Sequence, residues 1–301
     1  MSRSAASRAN RRGEPPPSPE PLPAAALDSH THLDIVVGER PAGPDAAGWP
    51  ADADVDAEIG AAAAVGITRL VQVGVDVASS RWSADLAARH PAVLGAVAVH
   101  PNEAGVGAAT EDALAEIDRL AALPRVRAIG ETGLDRFRTG PEGWPAQEAA
   151  FRAQIRIAKD RGVALVIHDR DAHEEILRVL EDEGAPEHTV FHCFSGDASF
   201  ARACVERGWV LSFAGTLTFA NAGYLREAAA LTPVDQLLVE TDSPFLTPVP
   251  HRGRPNASRL VPHTVRALAE VTGTDLEQLC GALTDTAERV FGPWAEELPT
   301  A

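Results

Sequence analysis

Short β-branched and apolar runs recur along the chain at Ile67–Val75, Val93–Val99, Val126–Ile129, Val163–Ile167, Thr189–Phe191, Trp209–Phe213 and Gln236–Val239, with Ala26–Asp28 ahead of them. Between them lie Ala-rich stretches with the apolar spacing of a helix. Phe151, Ile155 and Ala158 share a face of Gln147–Arg161, and Leu114, Ile117 and Leu120 are in register within Ala113–Leu123. Strand patterns alternating with helix patterns predict βαβ units and a parallel sheet. Eight such units predict an α/β protein built as a (β/α)8 TIM barrel over residues 27–301. An open doubly wound sheet is the alternative, but no GxGxxG fingerprint follows the first strand.

Residues 1–26 break the pattern. They carry four arginines, two glutamates and, between Pro15 and Pro23, six prolines. Such a segment buries too little apolar area to offset its ordering entropy, so a disordered Pro/Arg-rich tail is expected. A transit peptide is the other reading of its Arg/Ser content; a secretory signal is not, since no apolar stretch of that kind is present. Over the whole chain, 45% hydrophobic and 23% charged residues are ordinary for a globular protein, and no run is long enough to span a bilayer. Cys193, Cys204 and Cys280 form no CxxC pair, which points to a reducing, cytoplasmic setting. The net charge of −16 argues against a broad nucleic-acid-binding surface but leaves room for a local basic cleft. No extra interface segment is apparent, so a monomer is expected.

The chemistry-bearing residues fall at the carboxyl ends of the strand patterns, the face where barrel active sites lie. The first ends in Asp28-Ser29-His30-Thr31-His32-Leu33-Asp34, and strand alternation points His30 and His32 the same way. Later strands end in His100, Glu131, His168, His192 and Asp242. Neutral imidazole suits transition metals and carboxylates can bridge. The four imidazoles of His30, His32, His168 and His192, with the carboxylates of Glu131 and Asp242, exceed the needs of one tetrahedral ion. They suit two ions that each keep an open position.

The motifs DSHTHLD, GETGLD, IHDRDAHE, FHCFSG, LSFAGTLTF, ETDSPFLTP and RGRPN resemble the TatD family of metal-dependent hydrolases, in the amidohydrolase superfamily, in family order from Leu27 to Gly292. The resemblance implies a TIM barrel with two divalent ions (Zn, Mg or Mn) and phosphodiester hydrolysis, typically of DNA, by a metal-activated hydroxide. It implies that His30, His32 and Asp242 hold one metal, that Glu131 bridges, and that His168 and His192 complete the second. Lys159, the one lysine, sits mid-helix and cannot supply the carboxylated-lysine bridge of many amidohydrolases, which supports the glutamate version independently.

Asp242 is expected to orient the water or accept its proton, a plain ligand role being the alternative. His100 in VHPN matches a family histidine that faces the cleft and would contact substrate phosphate; where Asn102 stands the family more often has a second histidine. Arg252 and Arg254 would meet a phosphate backbone near the mouth, or lie in a solvated loop. Arg136 stands where many relatives carry an aromatic, replacing a base-stacking contact by a charge. Ala257 stands where a glutamate usually follows the asparagine. Asp171 is read as a helix cap, Asp34 and Asp135 as acceptors for ligand imidazoles or as turn residues, and Cys193 as packing. The expected activity is that of a deoxyribonuclease. A metal-dependent ester or amide hydrolase, such as an aminoacyl-tRNA deacylase, and a scaffold that has lost turnover are the alternatives.

Overall fold

The structure is a computed structural model that describes residues 15–40 and 54–294. Strands and helices alternate through β1 (Ala26–Thr31), α1 (Leu33–Val36), α2 (Val55–Ala63), β2 (Ile67–Val73), α3 (Val77–Arg89), β3 (Val93–Val97), α4 (Pro101–Gly105) and α5 (Glu111–Ala121). They continue through β4 (Val126–Asp135), α6 (Trp144–Arg161), β5 (Ala164–Arg170), α7 (His173–Glu183), β6 (Thr189–Phe191), α8 (Ala198–Val205), β7 (Val210–Phe213), α9 (Gly223–Leu231) and β8 (Leu237–Val239). Two further helices follow, α10 (Val261–Thr272) and α11 (Leu276–Phe291). All eight strands pair in parallel with their sequence neighbours. The ring closes just beyond β8, where Asp242 N donates to His30 O (2.9 Å), His32 N donates to Ser243 O (3.0 Å) and Thr31 forms a parallel bridge with Ser243. The protein is a TIM barrel.

Helix α6 illustrates how local sequence makes the layers. Pro145 sits in its first turn, where a missing N–H costs nothing, and Gly162 ends it at φ 64°. Its Phe151, Ile155 and Ala158 are buried as their spacing predicts. Burying one such Phe stabilises the fold by about 1.5–3 kcal/mol. Barrel strands are apolar on both faces because helices cover the outside. Strand β4 runs past the expected Val126–Ile129 to Asp135, and β5 extends to Arg170. Glu131 and His168 therefore sit within strands, His168 paired with Gly133 and Glu131 in the irregular stretch between Ile129 and Thr132 where the register shifts.

The expected tail is corrected from Pro15 onward. Leu22 is buried and its amide donates to Val65 O (3.0 Å). Arg266 donates to the carbonyls of Glu20 and Pro21, and Arg254 to Pro15 O (2.9 Å). Prolines keep their carbonyls as acceptors and lose little chain entropy, so a proline-rich strip can dock without forming an element. The rest of that expectation, residues 1–14, lies outside the described residues, as do residues 295–301 of the expected barrel domain. Among the described residues no helix is long and apolar enough to cross a membrane.

Candidate metal centre

A cavity of about 830 Å³ opens at the carboxyl ends of the strands, lined by His32, His100, Glu131, His168, His192 and Asp242 among others. His30 lies beneath, wholly buried, its ring stacked on His192 with centroids 3.9 Å apart. Glu131 is the hub. Its Oε1 lies 3.7 Å from His30 Nε2 and 3.6 Å from His32 Nε2. Its Oε2 lies 2.8 Å from His192 Nε2, 3.0 Å from His168 Nδ1 and 3.6 Å from His100 Nε2. Asp242 Oδ1 stands 3.4 Å from His32 Nε2 and 3.9 Å from His30 Nε2. All six residues expected to hold metal thus meet, with the acids between two sets of imidazoles. Gly133, at φ 144°, permits the approach of β4 to β5, since a Cβ there would lie 2.1 Å from His168 O.

Three of the imidazoles that line the cavity are aimed by a partner on one ring nitrogen. His32 Nδ1 bonds Val73 O (3.1 Å), His168 Nε2 bonds Asp135 Oδ2 (3.2 Å) and His192 Nδ1 bonds Glu240 Oε1 (3.1 Å). Such contacts fix ring orientation and basicity at metal sites. Burial lowers the proton affinity of every one of these imidazoles. For His192 the carboxylates of Glu131 and Glu240 outweigh it and leave the pKa well above 6.5. His168 and His32 are also raised, by Asp135 and Glu131 and by Asp242 respectively, against burial. His30 is lowered by burial and then by the His192 charge. Burial pushes Glu131 and Asp242 upward, but the surrounding imidazoles hold both below the usual carboxylate range.

The donor set fits divalent cations. Neither ring nitrogen of His30 has a hydrogen-bond partner, although the residue is buried. An orphaned buried polar atom costs about 1–3 kcal/mol, and a cation at Nε2 would remove that cost. The chemistry of the set, imidazole and carboxylate, is that of transition-metal sites.

His100 also reaches the cluster. Its Nδ1 accepts from Asn102 N (3.0 Å) at the start of α4, so Nε2 carries the proton and points at His168 Nδ1, 3.3 Å away. Burial lowers its pKa to about 3, leaving a neutral donor inside the cleft. Asn102 accepts from Thr139 Oγ1 (3.1 Å).

Other candidate residues lie away from the cation cluster or take a different part. Arg252 and Arg254 do not line the cavity: Arg252 lies over the Phe219 ring (4.1 Å), while Arg254 is taken up by Pro15 O. Arg136 turns away too, its guanidinium 4.6 Å above Trp144 and its Nη1 donating to Gln147 Oε1 (3.3 Å). Asp171 does not cap α7; Asp169 Oδ1 accepts from Ala172 N (3.3 Å), and Asp171, at φ 57°, lines the cavity. Asp34 serves no imidazole but holds Arg40 Nε (2.6 Å) and Gln72 Nε2 (3.0 Å). Cys193 faces the cavity, because the chain leaves the strand after Phe191 and takes φ 42°, where alternation no longer applies. Asp135 does accept from a site imidazole.

Two acids escaped the sequence reading. Glu240, fully buried, accepts from His192 Nδ1 and from Cys193 N (2.8 Å). Asp28 accepts from Thr241 N (2.9 Å) and Oγ1 (2.5 Å), tying β1 to the segment after β8, and burial raises its pKa to about 7. The signal available for Glu240 was its position two residues before Asp242. Asn256 Nδ2, from RGRPN, pins the same segment through Thr241 O (3.0 Å) and Phe245 O (2.6 Å).

A parallel barrel with acids and imidazoles converging at its strand ends defines a class, the metal-dependent hydrolases. The model of the TatD related DNase family matches residues 27–292, and the chain belongs to that family. It is 45% identical to the uncharacterized metal-dependent hydrolase TatD of Mycobacterium tuberculosis, over 88% of this chain and 97% of that protein. It is 35% identical to the 3'-5' ssDNA/RNA exonuclease TatD of Citrobacter rodentium, over 79% of this chain and 93% of that one. The crystal structure of YjjV, a TatD homologue from Escherichia coli, superposes with a TM-score of 0.80 at 23% identity, covering 89% of this chain and 98% of that one.

Proposed function

We propose that this hydrolase is a nuclease whose cleft holds two divalent cations and hydrolyses phosphodiester bonds, with single-stranded DNA as its substrate. The observation that carries the reading is the posture of Glu131, one oxygen toward His30 and His32 and the other toward His168 and His192. His30, His32 and Asp242 would hold one cation, Glu131 would serve both, and His168 and His192 would complete the second. The family and the Citrobacter relative's name support nucleic acid as the substrate. When bound, the cations supply acidified water and offset charge developing on the phosphate oxygens.

The chain's own groups do the rest. Asp242, kept ionised by its imidazole neighbours, holds the proton that the attacking water releases. His100, with Nε2–H fixed by its cap, donates to a phosphate oxygen and steadies the oxyanion. Glu240 and Asp135 keep His192 and His168 in their working tautomers.

End-labelled single-stranded DNA incubated with protein loaded with Mg²⁺, Mn²⁺ or Zn²⁺ is expected to be cut. Protein that carries its cations by elemental analysis, yet leaves phosphodiesters intact, would overturn the reading. Turnover of esters or amides in their place would move the same centre to carbonyl chemistry.

A further inference from the structure

Phe137 is the most exposed aromatic ring among the described residues, at 65%. It stands beside the cavity, outside its lining. Arg170, which does line the cavity, sets its guanidinium carbon 4.3 Å above the Phe137 ring. We propose that Phe137 and Arg170 form a platform on which one unpaired base of the strand stacks while the neighbouring phosphate enters the cleft. The inference rests on the nuclease reading above and adds to it where a base is held.

Three observations carry it. First, the ring is placed relative to the candidate metal centre. Asp135 Oδ1 accepts from Phe137 N (2.9 Å) and Arg138 N (2.6 Å), while its Oδ2 holds His168 Nε2. One carboxylate therefore positions both the rim loop and an imidazole of the cluster. Second, Arg170 ends the strand that carries His168, two residues on. Third, Arg136 is drawn off to Trp144, which leaves the exposed Phe137 ring, next to the cavity-lining Arg138, as the aromatic group the loop presents.

The chemistry selects the ligand. A planar guanidinium over a ring gives a mixed cationic and π surface that nucleobases stack on, and the same cation attracts the phosphates joined to them. A duplex keeps its bases stacked inside and offers such a platform nothing except at its ends. The platform thus selects single strands, which the cation-binding residues by themselves would not.

The test compares a single-stranded oligonucleotide with versions carrying one abasic residue, moved stepwise along the strand, on the metal-loaded protein. Phe137→Ala is expected to raise KM for the intact strand about tenfold with kcat little changed. The wild type is expected to show the same rise when the abasic residue reaches one particular position, and Phe137→Ala no further rise there. Phe137→Trp should restore binding. Equal KM for wild type and Phe137→Ala, or an abasic penalty that survives in the variant, would overturn the platform. Turnover of the intact strand by the wild type judges the nuclease reading separately. If no strand is cut, the same comparison is made as Kd by fluorescence anisotropy, where an unchanged Kd in Phe137→Ala overturns the platform.

Discussion

Replacing Glu240 by glutamine would separate the cation positions. The side chain is fully buried, and Oε1 accepts from both His192 Nδ1 (3.1 Å) and Cys193 N (2.8 Å), while Oε2 has no partner. Glutamine keeps shape and both acceptor contacts but removes the charge. A hydrogen bond to a charged group is worth about 1.5–3 kcal/mol against about 0.5–1.5 for a neutral one. The His192 contact should therefore weaken by about 1–1.5 kcal/mol, roughly a tenfold loss of cation affinity. That agrees with the ~10–100-fold cost of altering partners of metal-bound imidazoles. The loss should fall on the position served by His168 and His192, not on that served by His30, His32 and Asp242. Competition of Zn²⁺ against a chromophoric chelator, fitted to two sites, reads both constants, with far-UV circular dichroism as the folding check. Two constants equal to those of the wild type would refute the reasoning that Glu240 tunes His192.

Asp242→Asn should abolish turnover in a strand-cleavage assay while leaving the melting temperature nearly unchanged, because the apolar core lies elsewhere. Gly133→Ala forces a Cβ against His168 O at an unfavourable φ, and urea unfolding should show a loss of about 2–4 kcal/mol. In the metal-free protein His32, His168 and His192 hold protons above their usual 6.5, so their stabilisation is complete below pH 6.5 and lost as pH rises through the raised values. His30 and His100, lowered by burial, cost stability only as pH falls below 6.5. Differential scanning fluorimetry should therefore show metal-free stability falling above pH 6.5. Cation binding should release protons there, read by calorimetry in buffers of different ionisation enthalpy.

The barrel was legible because strand-like runs and helical stripes alternate from Ala26 to Gln236, and the cluster because His30, His32, Glu131, His168, His192 and Asp242 each close a run. What was not legible depends on directions that alternation does not encode. Cys193 turns inward because its backbone takes a left-handed conformation. Arg136 and Arg252 have aromatic rings to cover, Trp144 and Phe219, and which ring a given arginine covers is decided by the folded loops rather than by alternation along a strand. Glu240 was hidden because its one sequence signal, a place two residues before Asp242, does not tell a cation ligand from a partner of His192; the buried contact to that imidazole does. The strip from Pro15 looked featureless because its anchors are the distant Arg254 and Arg266 and the carbonyl of Val65, which accepts from Leu22 N.

The central claim, that the cluster around Glu131 holds two divalent cations, is tested most directly by anomalous scattering from crystals of protein loaded with Zn²⁺ or Mn²⁺. The account predicts two anomalous peaks, one among His30, His32, Asp242 and Glu131 and one among Glu131, His168 and His192. A single peak, or peaks only away from these side chains, would contradict it.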